Sequence, residues 1–441
     1  MSSSRFWTKC RSRRWIEALS VKSRALAAVA VSLVSVGVVA QSDSLVLLSV
    51  PVVAYLILGM LATDEPHLTL QTTRTSAGGK IFEGGEAEVT TTVTNEGRSL
   101  GLLRVEDALP EGLSVVRGSN TGIAILPEGG SLVLRYSVTS EVAGSYVVGP
   151  MQLQASDSFG LRSKAQRRDD MFRLDVLPRI PQRNRVPFRP RKTENWPAQV
   201  PSPRAGVNQE FYALRQYQWG DPARTINWKA TARTDRTYSN QYMSELGAEA
   251  VLIVDKSASS DFGVPPESML TYVERCAASV TSGLISAGNR VGMVVFGERV
   301  RKVWPGTGFK QLEKMLVTLV RTESGGASEA LQLLPEHVLS HFPRASQFLV
   351  VSSLADERIL SPLLRLGSRR DLRVISPTLV EKTHDRDDEG WKVATALADL
   401  NKGALMERIR RRAVVAEWRV NGPMEPALES VLLARSRVLA R

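Results

Sequence analysis

AEAVLIVDKS, residues 248–257, is a short apolar run from Ala250 to Val254 that ends on an acid, Asp255. Consecutive apolar residues bounded by charge read as a strand buried on both faces, the habit of parallel sheets. In PPESMLTYVERCAASVTSGLISAGNR, residues 265–290, Leu270, Val273, Ala277, Val280 and Leu284 recur on one helical face. Pro266 suits the first turn of that helix and Gly288 its end. RVGMVVF (290–296) reads as the next strand, and FKQLEKMLVTLV (309–320) and SEALQLLPEHVL (328–339) as helices. SQFLVVSS (346–353), DLRVISPTLV (371–380) and AVVAEWRV (413–420) are further strands. Strands alternating with helices predict a doubly wound α/β domain over residues 246–441, with a parallel sheet covered on both faces. Such sheets bind ligands at the carboxyl ends of their strands, where Asp255 lies.

N-terminal to this domain the pattern changes. Residues 67–178 alternate with period two, as around Val89 and Val93, and are broken by turn signals at Asn95-Glu96-Gly97 and Pro110-Glu111-Gly112. Together with SLVLRYSVTS (131–140), GSYVVGP (144–150) and MQLQASDSFG (151–160), they predict an antiparallel β-sandwich of immunoglobulin-like type. Further upstream, two apolar runs, Ala25–Ala40 and Leu45–Leu61, flank the polar turn Gln41-Ser42-Asp43-Ser44. Each is slightly shorter than the ~20 residues that cross a bilayer comfortably, yet paired they read as a transmembrane helical hairpin over residues 25–62. A cleaved signal peptide would be followed by a soluble chain, whereas a second apolar run follows here.

With 441 residues the chain is long enough for two or three domains. Its net charge of +12 is concentrated in two places. One is residues 1–24, with Arg5, Lys9, Arg11, Arg13, Arg14, Lys22 and Arg24; the other holds Arg179, Arg183, Arg185, Arg189, Arg191 and Lys192. No nucleic-acid motif accompanies either cluster, so both read as charge beside acidic lipid headgroups, and no nucleic-acid partner is expected. A basic tail before the first apolar run stays in the cytoplasm, and two crossings return the chain to that side. The soluble domains are thus expected on the cytoplasmic face of the cell membrane. Cys10 and Cys276 lie far apart, in unlike segments, so a disulfide framework is not expected.

Residues 179–245 link the two soluble domains and carry Arg215, Tyr217, Gly220, Asp221, Arg224, Ile226, Trp228, Ala232, Arg233 and Glu245 at fixed spacing. This pattern resembles the signature of the domain of unknown function 58 family. Gly144–Pro150, Asp157–Leu161 and Leu177-Pro178 resemble its lead-in. The resemblance implies a von Willebrand factor A-like domain, frequent association with a MoxR-type AAA+ ATPase and sometimes with transglutaminase-like proteins. Physically, Asp221, Arg224 and Arg233 are expected to form a buried ion-pair network clamped by Trp228 and Tyr217, because buried charges need partners.

Asp255-Lys256-Ser257-Ala258-Ser259 matches the first element of a metal-ion-dependent adhesion site, with one carboxylate and two hydroxyls offered to Mg²⁺. The later elements depart from it. Gly325-Gly326-Ala327-Ser328 stands where Gly-Gly-Thr is usual, and Val350-Val351-Ser352-Ser353-Leu354 brings no aspartate; Asp356 would have to bend inward. The expected site is therefore degenerate, formed by Asp255, Ser257, Ser259, Ser328 and Ser353. His337 and His341 stand one helical turn apart but without the H-E-x-x-H arrangement, and Gly306–Lys310 lacks the Gly-Lys-Ser/Thr ending of a phosphate loop. The expectation is a non-catalytic, membrane-anchored interaction protein. The alternatives are an outward-facing metal-dependent adhesion module and a hydrolase using Asp221 or Asp255.

Overall fold

The computed structural model describes residues 20–62, 66–76, 78–180, 197–246, 249–325, 332–342, 347–378, 389–420 and 422–433. The tail before Ser20, with Cys10, and the cluster from Arg183 to Lys192 lie outside the described residues, as do Ser328 and His384. The chain forms two compact units. One holds the described residues up to Glu141 with Ser145–Val176, the other Val142–Gly144 with Leu177 onward.

In the first unit the helices Val21–Val39 and Asp43–Ala62 form a hairpin and pack on each other. Ser20 caps the first by accepting the Ser23 N–H, which satisfies one of the donors that a helix start leaves open. Gln41, at φ 48°, turns the chain between them. Both helices are long and apolar enough to cross a membrane. Their apolar side chains are largely exposed, Val39 at 86% and Leu61 at 79%, so neither is the core helix of this unit.

The rest of the first unit is rich in strands: β1 (Leu70–Ser76), β2 (Lys80–Phe82), β3 (Glu86–Asn95), β4 (Leu100–Asp107), β5 (Ser114–Gly118), β6 (Thr121–Leu126), β7 (Ser131–Thr139), β8 (Gly144–Val148), β9 (Met151–Ser156), β10 (Ser163–Arg168) and β11 (Phe172–Leu177). They pair as β1-β3-β7-β5, β10-β9-β4-β6 and β2-β11-β8. In β3 every second residue, from Ala87 through Val89 and Thr91 to Val93, is buried. Val93 and Leu134 of one four-stranded sheet meet Leu103, Val105 and Leu153 of the other in a shared core, the burial that alternating strands require.

The second unit opens with two long strands, β12 (Pro197–Gln216) and β13 (Tyr238–Leu246), paired antiparallel with several register shifts. An α/β region follows: β14 (Glu249–Asp255), β15 (Arg290–Phe296), β16 (Arg301–Gly306), β17 (Gln347–Val351), β18 (Leu372–Thr378) and β19 (Val414–Arg419). They form one sheet in the order β16-β15-β14-β17-β18-β19. Every pairing is parallel except that of the edge strand β16 with β15. Successive residues of β14 serve opposite faces. Ala250, Leu252 and Val254 pack with the helix Met269–Ser286, and Val251 and Ile253 with Leu363 and Leu366 of the helix Leu360–Gly367. The unbroken apolar run is the direct consequence of that two-sided cover. The helix begins at Met269, with Ser268 accepting the Thr271 N–H as its cap, so Pro266 precedes the first turn it was expected to occupy. Gly288, at φ 81°, ends it in the left-handed conformation that glycine adopts without penalty.

Candidate functional site

The sheet order reverses direction at β14. From it the chain crosses to β15 on one side and later places β17 on the other, and the carboxyl ends of these two neighbours flank the crevice where open α/β sheets bind ligands. Asp255 ends β14, and Ser352 and Ser353 follow β17. The buried Asp255 carboxylate accepts the Ser257 N–H at 3.0 Å through Oδ1. Its Oδ2 accepts the Ser352 hydroxyl at 2.6 Å and the Ser260 hydroxyl at 3.4 Å. Ser260 and Ser353 hydroxyls lie 2.8 Å apart, as do those of Ser257 and Ser259. A single carboxylate thus sits within a cluster of five serines.

The structure brings Asp255, Ser257, Ser259 and Ser353 together; Ser328 lies outside the described residues. Sequence reasoning missed Ser260 and Ser352, the two hydroxyls that reach the carboxylate. Ser260 directly extends the Asp255–Ser259 motif, and Ser352 lies at the carboxyl end of the predicted strand 346–353, so both signals were present. Asp356 does not bend inward. Its carboxylate accepts from the Arg358 N–H at 2.9 Å and from the guanidinium at 3.0 Å.

Octahedral Mg²⁺ uses oxygen ligands, usually with one or two carboxylates. Here both oxygens of Asp255 are engaged by protein donors. Among the described residues no group of three or more His, Cys, Asp or Glu side chains stands close enough to hold a metal. Among the described residues the donor set is one carboxylate with hydroxyls, little negative charge for holding a divalent cation tightly. What the cluster can do is exchange hydroxyl hydrogen bonds with a polar group of a ligand. Lys256, inside the same motif, has its ammonium buried beside Glu274 at 2.6 Å, and it donates to the carbonyls of Leu319 and Thr322. It anchors the loop to the helical layer.

The histidine pair carries no metal geometry. His337 and His341 share the helix Leu334–His341, but the Lys302 ammonium lies 3.5 Å from His337 Nδ1 and 3.2 Å from His341 Nε2, a cation where zinc would need to be. Burial first, then Lys302, holds the His337 imidazolium less stable than usual and its pKa low. Burial pushes the Cys276 thiol far up, which leaves it inert.

The signature segment corrects one expectation. No buried network joins Asp221, Arg224 and Arg233. Arg224 and Arg233 are exposed, Trp228 is 70% exposed and the neighbouring Trp219 fully so. Asp221 pairs instead with Arg215 at 2.5 Å and accepts the Gln218 N–H at 3.0 Å. These two contacts, the backbone one foremost, hold its carboxyl below the usual range. Gly220, at φ 103°, closes the turn they stabilise, and Tyr217 donates to the Asp221 carbonyl at 3.2 Å. Beyond it, Asn227 caps the short helix Trp228–Thr234 through the Ala230 N–H and reaches Asn240 at 2.8 Å. Ile226 and Ala232 lie between that turn and β13, and Glu245 lies within β13. The fixed spacing therefore encodes turn and cap chemistry beside a two-stranded hairpin, and leaves Arg224, Arg233 and Trp228 exposed among the described residues. Trp228→Ala and Arg224→Ala should each leave stability within about 0.5 kcal/mol. Asn227→Ala should cost about 1 kcal/mol through the lost cap. Thermal melting of the three variants checks the order.

Residues 213–408 match the family model described as protein of unknown function DUF58. Uncharacterized protein Rv1480 of Mycobacterium tuberculosis and Uncharacterized protein Mb1516 of Mycobacterium bovis are each 29% identical over 189 residues, 40% of this chain. The match spans 58% of the length of these relatives. Among solved structures, the cupredoxin domain of amoB from Nitrosocaldus yellowstonii is 11% identical, over 25% of this chain and 88% of that one, with a TM-score of 0.20. A FixG-related protein from Vibrio parahaemolyticus is 13% identical, over 24% and 95%, with a TM-score of 0.18. At such scores these likenesses carry no argument. The signature residues from Arg215 to Arg233 fall inside the stretch that matches the DUF58 family model, residues 213–408.

Proposed function

We propose that this chain is a non-catalytic interaction protein. Its helical hairpin spans the cell membrane and its soluble part faces the cytoplasm. An immunoglobulin-like sandwich follows the hairpin, and a von Willebrand factor A-like domain docks a protein partner at the Asp255 crevice. The partner class is a MoxR-type AAA+ ATPase, which the family resemblance brings forward. The mainly parallel sheet, covered on both faces and carrying D-x-S-x-S at the end of β14, supports the A-like reading. Two antiparallel four-stranded sheets support the sandwich, and the basic tail supports the orientation.

The observation that carries the proposal is the state of Asp255. Its carboxylate is bonded by one N–H and two hydroxyls, and among the described residues no histidine, cysteine or second acid bonds to it to relay a proton. Such a site recognises polar groups better than it transfers protons. For a hydrolase using Asp221, the carboxylate is already held by the Arg215 guanidinium and the Gln218 N–H. Asp255→Asn keeps the shape but removes the charge that orders the serines. Hydrogen bonds to a charged group contribute about 1.5–3 kcal/mol, so capture of a MoxR-type ATPase should weaken by roughly tenfold or more. Capture at wild-type strength by a normally melting Asp255→Asn protein would remove this crevice from the function.

A further inference from the structure

The loop between β9 and β10 is bonded to both helices of the apolar hairpin, within one unit of the structure. Ser20 donates its N–H to the Leu161 carbonyl at 2.9 Å and its hydroxyl to the Gly160 carbonyl at 2.5 Å. Lys22 donates to the Phe159 carbonyl and to the Tyr55 hydroxyl, both at 3.1 Å, and Tyr55 donates to the same carbonyl at 3.0 Å. The rings of Tyr55 and Phe159 meet edge to face at 6.1 Å, and the Lys22 ammonium stands 5.3 Å from the Tyr55 centroid. Arg162 donates to the Met60 carbonyl at 3.2 Å. Leu161 is fully buried, and a Cβ on Gly59 would crowd its Cδ1, so the leucine packs directly onto the helix at that glycine.

The depth of these contacts matters. Tyr55 lies seven residues before the end of Asp43–Ala62, which at a rise of ~1.5 Å per residue is about 10 Å inside it. A loop that merely abutted the hairpin would touch its last residues. This one reaches along the flank to Tyr55, on a helix where Ile57 is 54% and Leu58 65% exposed, and leaves Phe159 itself 40% exposed. Lys22 and Arg24 are exposed at the same end. Aromatic rings next to tyrosine and snorkelling cations mark the boundary between headgroups and acyl chains.

We propose that the loop at residues 158–162 is a membrane-interface element: Phe159 enters the headgroup–acyl boundary of the bilayer beside Tyr55, and seats the strand-rich region on the lipid surface. This rests on the reading that the hairpin spans a bilayer, and adds a lipid-contacting surface outside it. Lys22 and Arg24 would meet lipid phosphates at that boundary.

The test uses the full chain with Cys10→Ser, in which Cys276 is buried and unreactive. Spin labels are placed singly at Ser158→Cys, at Val34→Cys inside the hairpin and at Glu128→Cys on the β6–β7 turn, in phosphatidylcholine–phosphatidylglycerol vesicles. Collision with oxygen and with a water-soluble nickel chelate reports depth. The label at 158 should be several-fold better shielded from nickel than that at 128, and less than that at 34. Phe159→Asp should remove the shielding at 158 while leaving that at 34. Gly59→Leu, which drives Leu161 away, should do the same should the first variant melt low. A label at 158 as open to nickel as that at 128, with 34 shielded, overturns this inference and leaves the membrane hairpin standing. An open label at 34 overturns both.

Discussion

Asp107→Ala is expected to lower the melting temperature of the strand-rich unit by roughly 6–20 °C, the equivalent of about 3–5 kcal/mol. The Asp107 side chain is fully buried at the end of β4, where it accepts from the Arg74 guanidinium at 2.6 Å and the Tyr136 hydroxyl at 2.6 Å. Arg74 also donates to the Asp170 carbonyl, so one charge pair ties β1 to β4, β7 and the chain before β11. Burial first, and then the bond to Asp107, pushes the Tyr136 phenol well above its ordinary value. Removing the carboxylate leaves a guanidinium buried without its counter-charge and a phenol without its acceptor, and each costs its own desolvation. Calorimetry of the full chain in detergent measures the shift. An apolar double replacement, Arg74→Met with Asp107→Leu, should recover part of the loss, because no buried charge then remains. Melting of Asp107→Ala at the wild-type temperature would show that the network contributes nothing.

Glu274→Ala should destabilise the second unit to a comparable extent, about 3–5 kcal/mol. Lys256 and Glu274 side chains are 4% and 5% exposed and 2.6 Å apart. Without the glutamate the ammonium retains, among the described residues, the carbonyls of Leu319 and Thr322. Because Lys256 follows Asp255 directly, the damage should spread to the strand-end loop, and hydrogen exchange at residues 256–260 should accelerate more than in the helix Phe309–Val320. Equal exchange in both segments would mean that the pair stabilises the unit without holding the loop.

The sequence alone determined the features that depend on neighbours a few residues apart. Ala250–Val254 is apolar throughout because both its faces are covered, and that need is written in the run itself. Alternation in Glu86–Asn95 and the two long apolar stretches follow from the same local logic of period and length. Asp255, Ser257 and Ser259 were legible because one loop carries them all. Tertiary structure decided what depends on distant partners. Ser352 reaches Asp255 across 97 residues, and Lys256 finds Glu274 only because Met269–Ser286 crosses the sheet beside it. Arg74, Asp107 and Tyr136 are likewise spread over three strands. Trp228 marks the limit most clearly. An indole and arginines at fixed spacing read as a packed network, yet among the described residues they stand exposed. Residue type states what a side chain would gain from burial; only the arrangement of layers determines whether a second surface is there to bury it.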